Sequence, residues 1–117
     1  LQLNEKYGYM ELIELVKYFR IGGTYEKFCQ DRSLNLKSEV VEIYMQKPFS
    51  IDNDLAFFEI ESTEGMVEYN FNGITYYNLF DFYYFLDVIA ESKEEQNINI
   101  TDEELARRLY NYALKDA

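Results

Sequence analysis

The side chains that most enzymes use at neutral pH are nearly absent from this sequence. The 117 residues contain no His and a single Cys, Cys29. His is the usual general base and the commonest zinc ligand, and a Cys nucleophile normally needs a neighbouring base. Only carboxylate, Tyr, Lys or Ser/Thr chemistry is left. The composition therefore predicts a protein that is not an enzyme and that needs no metal and no cofactor.

The spacing of one pair of carboxylates is similar to the start of a calcium-binding loop. Asp52 and Asp54 are spaced like the first ligands of an EF-hand. Such a loop needs Gly at its sixth position and Glu at its twelfth, where this chain has Phe57 and Thr63. The spacing therefore does not predict a calcium site.

A second group, Glu59 and Glu61, alternates along a predicted strand and so lies on one side of it. Paired carboxylates can hydrolyse glycosides, but only where two acids converge in a pocket and burial raises the pKa of one of them. An enzyme that uses carboxylates alone remains a third alternative, after two kinds of binding protein described below.

The acidic residues are concentrated in one part of the chain. Residues 1–50 hold seven basic and seven acidic side chains, whereas residues 51–106 hold 14 Asp and Glu against a single Lys93. No Lys or Arg occurs between Lys47 and Lys93, although the chain as a whole has a net charge of −11. An acidic surface of this kind repels phosphates and attracts basic proteins, which excludes direct nucleic-acid binding and favours a basic partner.

The first 50 residues predict three helices. Apolar residues recur at helical spacing over residues 8–20, and Gly22 follows them as a stop. Thr24 is suited to cap a short second helix that turns Phe28 and Cys29 inward. A third helix is expected after Ser38, with Pro48 just beyond its end.

Alternating apolar residues predict strands at 55–61, 66–71 and 74–77. Thr63-Glu64-Gly65 marks a turn between the first two, and Asn72-Gly73 predicts a tight hairpin between the last two. Two helices follow: one capped by Asn78 and one that begins with a capping box formed by Thr101 and Glu104. We therefore expect an α+β fold in a single domain over 1–117, with about five helices flanking a three-stranded antiparallel meander. Residues 1–50 would be helical and charge-balanced, and 51–117 strongly acidic.

The expected partner-binding residues are the acids of the meander and the helix after it, together with one aromatic side chain that shares a sheet face with them. Glu59, Glu61 and Glu68 would lie on the same face if the meander pairs in order, and aromatic residues beside acids are typical of protein interfaces. The predicted set is Glu59, Glu61, Glu68, Asp52, Asp54, Asp81, Asp87 and Tyr77.

In size, charge and class the whole chain resembles bacterial immunity proteins, in particular those of contact-dependent growth inhibition systems. These proteins share no motif, so the resemblance implies no site residues. It implies a toxin inhibitor whose partner is a basic C-terminal toxin domain, usually a nuclease. The alternative is a phage-type nucleic-acid mimic that inhibits a restriction or CRISPR nuclease, with carboxylates in place of phosphates.

The lone Cys29 excludes an intramolecular disulfide and predicts a reducing compartment, most simply the cytoplasm. The first nine residues lack the basic end and apolar stretch of a signal peptide. The longest apolar run, 76–89, is broken by three polar residues and is shorter than the roughly 20 residues that span a bilayer. We therefore expect no association with a membrane.

Overall fold

The computed structural model describes residues 8–115. Residues 1–7 and 116–117 lie outside the described residues, and with them most of the stretch on which the signal-peptide interpretation rests. The chain has an α+β fold, as expected, and the described residues form five α-helices and one antiparallel sheet. Its elements are α1 (Leu12–Arg20), α2 (Tyr25–Asp31), β1 (Val41–Met45), β2 (Leu55–Glu59), α3 (Ile60–Thr63), β3 (Glu68–Phe71), β4 (Ile74–Asp81), α4 (Phe82–Ser92) and α5 (Asp102–Lys115), with a 3₁₀ turn at Glu95–Asn97.

The sheet has four strands in the order β2-β1-β4-β3, so the prediction of a three-stranded meander is wrong. The hairpin from β3 to β4 is present, and its turn residues Asn72 and Gly73 both have positive φ, at 53° and 83°. The strand before it does not join the hairpin. Instead β2 pairs with β1, which places β2 and β3 at opposite edges of the sheet.

The additional strand is β1, where the sequence predicted a helix after Ser38. All five residues of β1 are buried, including Glu42 and Tyr44 on one face and Ile43 on the other. A strand covered on both faces loses the apolar–polar alternation that identifies a half-buried strand. Its apolar spacing fits a helix equally well, which explains the error.

Two element boundaries also differ from expectation. The strand predicted to reach Glu61 ends at Glu59, and Ile60 begins the single turn of α3. The strand β4 runs on to Asp81, so Asp81 rather than Asn78 caps α4, and its side chain accepts a hydrogen bond from Tyr84 N–H.

The helices α1, α2 and α4 pack against one face of the sheet around a cluster of Phe rings. Phe19 of α1, Phe28 of α2 and Phe82 of α4 lie 5.3–5.8 Å from one another, measured between ring centroids. Phe57 of β2 joins them at 5.0 Å from Phe28. Thr24 caps α2 as predicted, since its hydroxyl accepts a hydrogen bond from Lys27 N–H. Burial of these rings is the main stabilisation of the helical layer.

The first and last helices are joined at their ends. The Arg20 guanidinium donates to the Ile100 carbonyl oxygen at 2.8 Å and pairs with Asp102 at 3.0 Å. The capping box of α5 is formed as predicted: Thr101 N–H donates to the Glu104 carboxylate, and Glu104 N–H donates to the Thr101 hydroxyl. The start of α5 is thereby fixed against the end of α1.

The other face of the sheet carries a second set of rings, which we call the aromatic face. Ring centroids of neighbouring members lie 5.0–6.4 Å apart. The sheet is curled around these rings, and α3 with the residues after it closes one end: the Tyr44 hydroxyl donates to the Met66 carbonyl oxygen at 2.6 Å. The aromatic face consists of Tyr44, Phe58, Tyr69, Phe71 and Tyr76.

Candidate binding surface

Every strand of the sheet contains one carboxylate and neither Lys nor Arg. The four acids are Glu42, Glu59, Glu68 and Asp81. The helices α3 and α4, which follow β2 and β4, also lack basic residues. The sheet and the two helices attached to it therefore carry acids without basic residues, and the other acids of residues 51–106 lie in loops, in the 3₁₀ turn and in the first turn of α5.

Glu59 and Glu61 hold the loop before β1. The Glu59 carboxylate accepts a hydrogen bond from Asn35 N–H at 2.6 Å, and that of Glu61 accepts one from Glu39 N–H at 2.9 Å and another from the Ser38 hydroxyl. The hydrogen bonds from Ser38 and Glu39 lower the pKa of Glu61 below its ordinary value of 4.5. Both acids therefore stabilise this loop, and they lie at the β2 edge of the sheet, whereas Glu68 lies on β3 at the other edge.

Asp52 and Asp54 organise the loop before β2. The Asp54 carboxylate accepts a hydrogen bond from Met10 N–H at 2.6 Å, and burial raises its pKa above the ordinary 3.8. Asp52 accepts a hydrogen bond from the Ser50 hydroxyl, and its carbonyl oxygen accepts one from the Tyr9 hydroxyl at 2.8 Å. These acids tie the segment before α1 to the segment before β2.

The remaining predicted residues are dispersed as well. Glu68 is exposed on β3, directly opposite Tyr77 on β4. The Tyr77 ring lies under the ammonium of Lys47, whose nitrogen is 4.3 Å from the ring centroid. Asp87 is exposed on α4 and borders a groove between α4 and α5. The structure therefore does not bring the eight predicted residues together into one patch.

The surface around the β3–β4 hairpin combines exposed apolar residues with carboxylates. Val67 is 68% exposed, and three further apolar side chains of residues 66–74 are more than 40% exposed. Glu64 and Glu68 are exposed on the same part of the chain. Since β3 is an edge strand, its outer backbone groups are not paired within the sheet. We call this the hairpin surface: Glu64, Met66, Val67, Glu68, Phe71 and Ile74.

The sequence interpretation missed Glu42, Tyr84 and Tyr112. Glu42 was placed in a predicted helix, so nothing indicated that it would lie directly opposite Asp81 in the sheet. Tyr84 and Tyr112 come from α4 and α5, and their rings stack with centroids 4.2 Å apart. These four side chains line one cavity. An aromatic residue on each of two amphipathic helices is common in helix packing, so the spacing alone carried no signal.

Within residues 8–115 no group of three or more Cys, Asp or Glu side chains is arranged to hold a metal ion. None of the helices described is both long and apolar enough to cross a membrane. No protein family, no curated protein and no solved structure matches this chain.

Proposed function

We propose that this protein binds and inhibits a basic protein partner, as an immunity protein inhibits its toxin, and that the hairpin surface is the contact region. The observation that carries the proposal is the combination found there. Val67 and Phe71 are exposed on the same edge segment of the chain that carries the exposed acids Glu64 and Glu68, and no Lys or Arg occurs between Lys47 and Lys93.

Each part of this surface has a role in association. Apolar side chains such as Val67 lose water on contact and provide most of the affinity, while carboxylates at the rim orient an approaching basic protein. The open edge of β3 offers backbone donors and acceptors to a strand or loop of the partner. A nuclease domain with a basic, phosphate-binding active site fits this surface by charge, and its inhibition would be steric and electrostatic.

We propose a cytoplasmic location, because the lone Cys29 is suited to a reducing compartment.

The nucleic-acid mimic has less support from the same surface. A mimic presents acids at regular, phosphate-like intervals, whereas here exposed apolar residues separate Glu64 from Glu68. A catalytic function has no support from the residues described, since the acids of the loops serve as hydrogen-bond acceptors for backbone and hydroxyl groups.

The test uses the basic toxin domain encoded in the reading frame next to that of this protein. We expect a stable complex at 50 mM NaCl, inhibition of the nuclease, and a Kd that rises steeply as salt is added. The double substitution Glu64→Lys with Glu68→Lys should weaken binding at least about tenfold.

A matched control separates a local contact from the effect of net charge. Glu94→Lys with Glu95→Lys changes the net charge equally, and both of these residues are exposed, at the 3₁₀ turn away from the hairpin. This pair should change Kd by no more than about threefold. Absence of a complex at low salt would contradict the proposal, and equal losses from the two pairs would contradict the assignment to the hairpin surface.

A further inference from the structure

A cavity of about 280 Å³ opens beside the strands β1 and β4, bordered by the residues after α3 and by α4 and α5. Two carboxylates and three aromatic rings supply its most distinctive lining, and among residues 8–115 no Lys or Arg borders it. The residues that matter for its chemistry are Glu42, Asp81, Phe80, Tyr84 and Tyr112.

Glu42 is a buried acid that forms no ion pair with a Lys or Arg among residues 8–115. Its side chain is only 8% exposed. One carboxylate oxygen accepts hydrogen bonds from the Thr63 hydroxyl at 2.9 Å and the Tyr44 hydroxyl at 3.3 Å. A carboxylate removed from water is costly unless a cation or further donors compensate it.

Asp81 adds a second negative charge at the same place. Glu42 and Asp81 are direct partners in the β1–β4 ladder, so their side chains start from neighbouring positions on the sheet. One Asp81 oxygen accepts from Tyr84 N–H at 2.8 Å to cap α4. The ion pairs described in the protein, Arg20–Asp102 and Lys27–Asp31, involve neither acid. Like charges opposite each other in a sheet repel, and a cation placed between them would remove that repulsion.

The aromatic lining favours the same kind of ligand. The rings of Tyr84 and Tyr112 stack at 4.2 Å between centroids, and Phe80 lies 5.7 Å from Tyr84. The face of an aromatic ring attracts a cation, and a planar guanidinium can stack on it while its N–H groups donate to carboxylates. Lys offers a compact ammonium that cannot do both equally well.

We propose that this cavity receives the guanidinium of an arginine side chain, held by Glu42 and Asp81 against the rings of Tyr84 and Tyr112. The inference deepens the proposed function and rests on it for the source of the arginine, which would be the basic partner protein. The cavity is the anchoring site, and the hairpin surface next to it supplies the wider contact, since Gly65 and Val67 border both.

The test uses N-acetyl-L-arginine amide as the probe and the full chain labelled with ¹⁵N. We expect saturable shifts of the amide signals of Gly65, Val67 and Asn78, which border the cavity. N-acetyl-L-citrulline amide has nearly the same shape without the charge and should bind about tenfold more weakly. The corresponding lysine amide should also bind more weakly than the arginine probe.

Two substitutions remove the negative charge of an acid but keep its size and a hydrogen-bond acceptor. Glu42→Gln keeps an acceptor for Thr63, and Asp81→Asn keeps a helix cap. Each should weaken binding of the arginine probe about tenfold, while Asp87→Asn, an exposed acid on α4 outside the cavity, should leave it unchanged. If Glu42→Gln fails to fold, Asp81→Asn and the citrulline comparison still decide the question.

The outcomes separate this inference from the proposed function. Citrulline shifts equal to those of arginine, or unchanged arginine binding in both acid variants, would overturn the arginine site even if the toxin domain is captured. Lysine binding as tight as arginine binding would overturn the guanidinium assignment. Selective arginine binding without capture of the toxin domain would support the cavity and contradict the proposed partner.

Discussion

The rings of Phe58 and Phe71 lie 5.3 Å apart, although Phe58 is on β2 and Phe71 on β3, the two strands at opposite edges of the sheet. In a flat sheet these strands would be about 14 Å apart, since neighbouring strands are spaced by ~4.8 Å. The sheet must therefore curl for the two rings to meet. Phe58 also contacts Tyr69 at 5.0 Å and Tyr76 at 5.3 Å, so it is the centre of the aromatic face.

Replacing this central ring should destabilise the whole fold. We expect Phe58→Ala to lower the free energy of unfolding by about 3 kcal/mol, because four ring contacts and the closure of the sheet are lost together. Phe71→Ala is the matched control on the other edge; with 44% of its side chain exposed, it should cost about 1 kcal/mol. Urea unfolding measures both. Equal losses would mean that Phe58 has no special part in the curl.

The hydrogen bond from Thr63 to Glu42 should also be measurable. Thr63 is fully buried, and its hydroxyl is 2.9 Å from the Glu42 carboxylate. Thr63→Val keeps the shape but removes the donor to Glu42 and the acceptor for Gly65 N–H, and the two losses together should lower the free energy of unfolding by about 2 kcal/mol. The neighbouring Ser62 is exposed, and Ser62→Ala should change it by less than about 0.5 kcal/mol. A neutral Thr63→Val substitution would show that the buried carboxylate does not need this donor.

Asp81 should act as the N-cap of α4. We expect Asp81→Ala to destabilise the protein by about 1 kcal/mol and to speed amide exchange in the first turn of α4. Asp81→Asn retains the acceptor for Tyr84 N–H and should cost only a few tenths of a kcal/mol. Urea unfolding measures the change in stability, and hydrogen exchange monitored by NMR measures the amide exchange rates in the first turn of α4. Equal effects of the Ala and Asn variants would exclude a capping role.

Glu61 and Asp54 should respond to pH with opposite signs. Hydrogen bonds lower the pKa of Glu61 below 4.5, so the stability it contributes is present above pH 4.5 and is lost as pH falls through the lowered pKa. Burial raises the pKa of Asp54 above 3.8, so the folded state binds that proton more tightly than the unfolded state. Ionisation of Asp54 therefore reduces stability as pH rises through that interval.

The corresponding variants distinguish the two cases. Glu61→Gln should be less stable than the parent protein at pH 7 and equal to it at strongly acidic pH. Asp54→Asn should gain stability relative to the parent protein between strongly acidic pH and pH 7. NMR titration of the two carboxyl groups supplies the pKa values directly, and a Glu61 pKa above 4.5 would contradict the first expectation.

Sequence patterns that span only three or four residues correctly predicted two helix caps and one turn of this fold. The caps at Thr24 and Thr101 and the turn at Asn72-Gly73 depend on residues within three or four positions, and all three are found in the structure. The strand β1 was not recognised, because burial on both faces erases its alternation. The sequence does not distinguish Asn78 from Asp81 as the cap of α4, because either residue type can fill that role. Only the length of β4 decides between them.

The candidate site depended on pairings that sequence spacing does not encode. Glu59 and Glu68 were expected on neighbouring strands because consecutive strands usually pair, but β1 and β4 lie between β2 and β3 in the sheet. The cavity of Glu42 and Asp81 requires the β1–β4 ladder, and its rings come from two further helices. The excess of acids in this half of the chain was visible from the sequence, but its arrangement was not.

The Arg20 guanidinium and the Ile100 carbonyl oxygen are 80 positions apart in the sequence, so their contact closes a long stretch of the chain. Leu12 and Leu15, on the apolar side of α1, belong to the same buried core as Leu105 and Leu109 of α5. A protein shortened before Thr101 would leave part of that side of α1 uncovered, and we expect proteases to cleave it faster than the full chain.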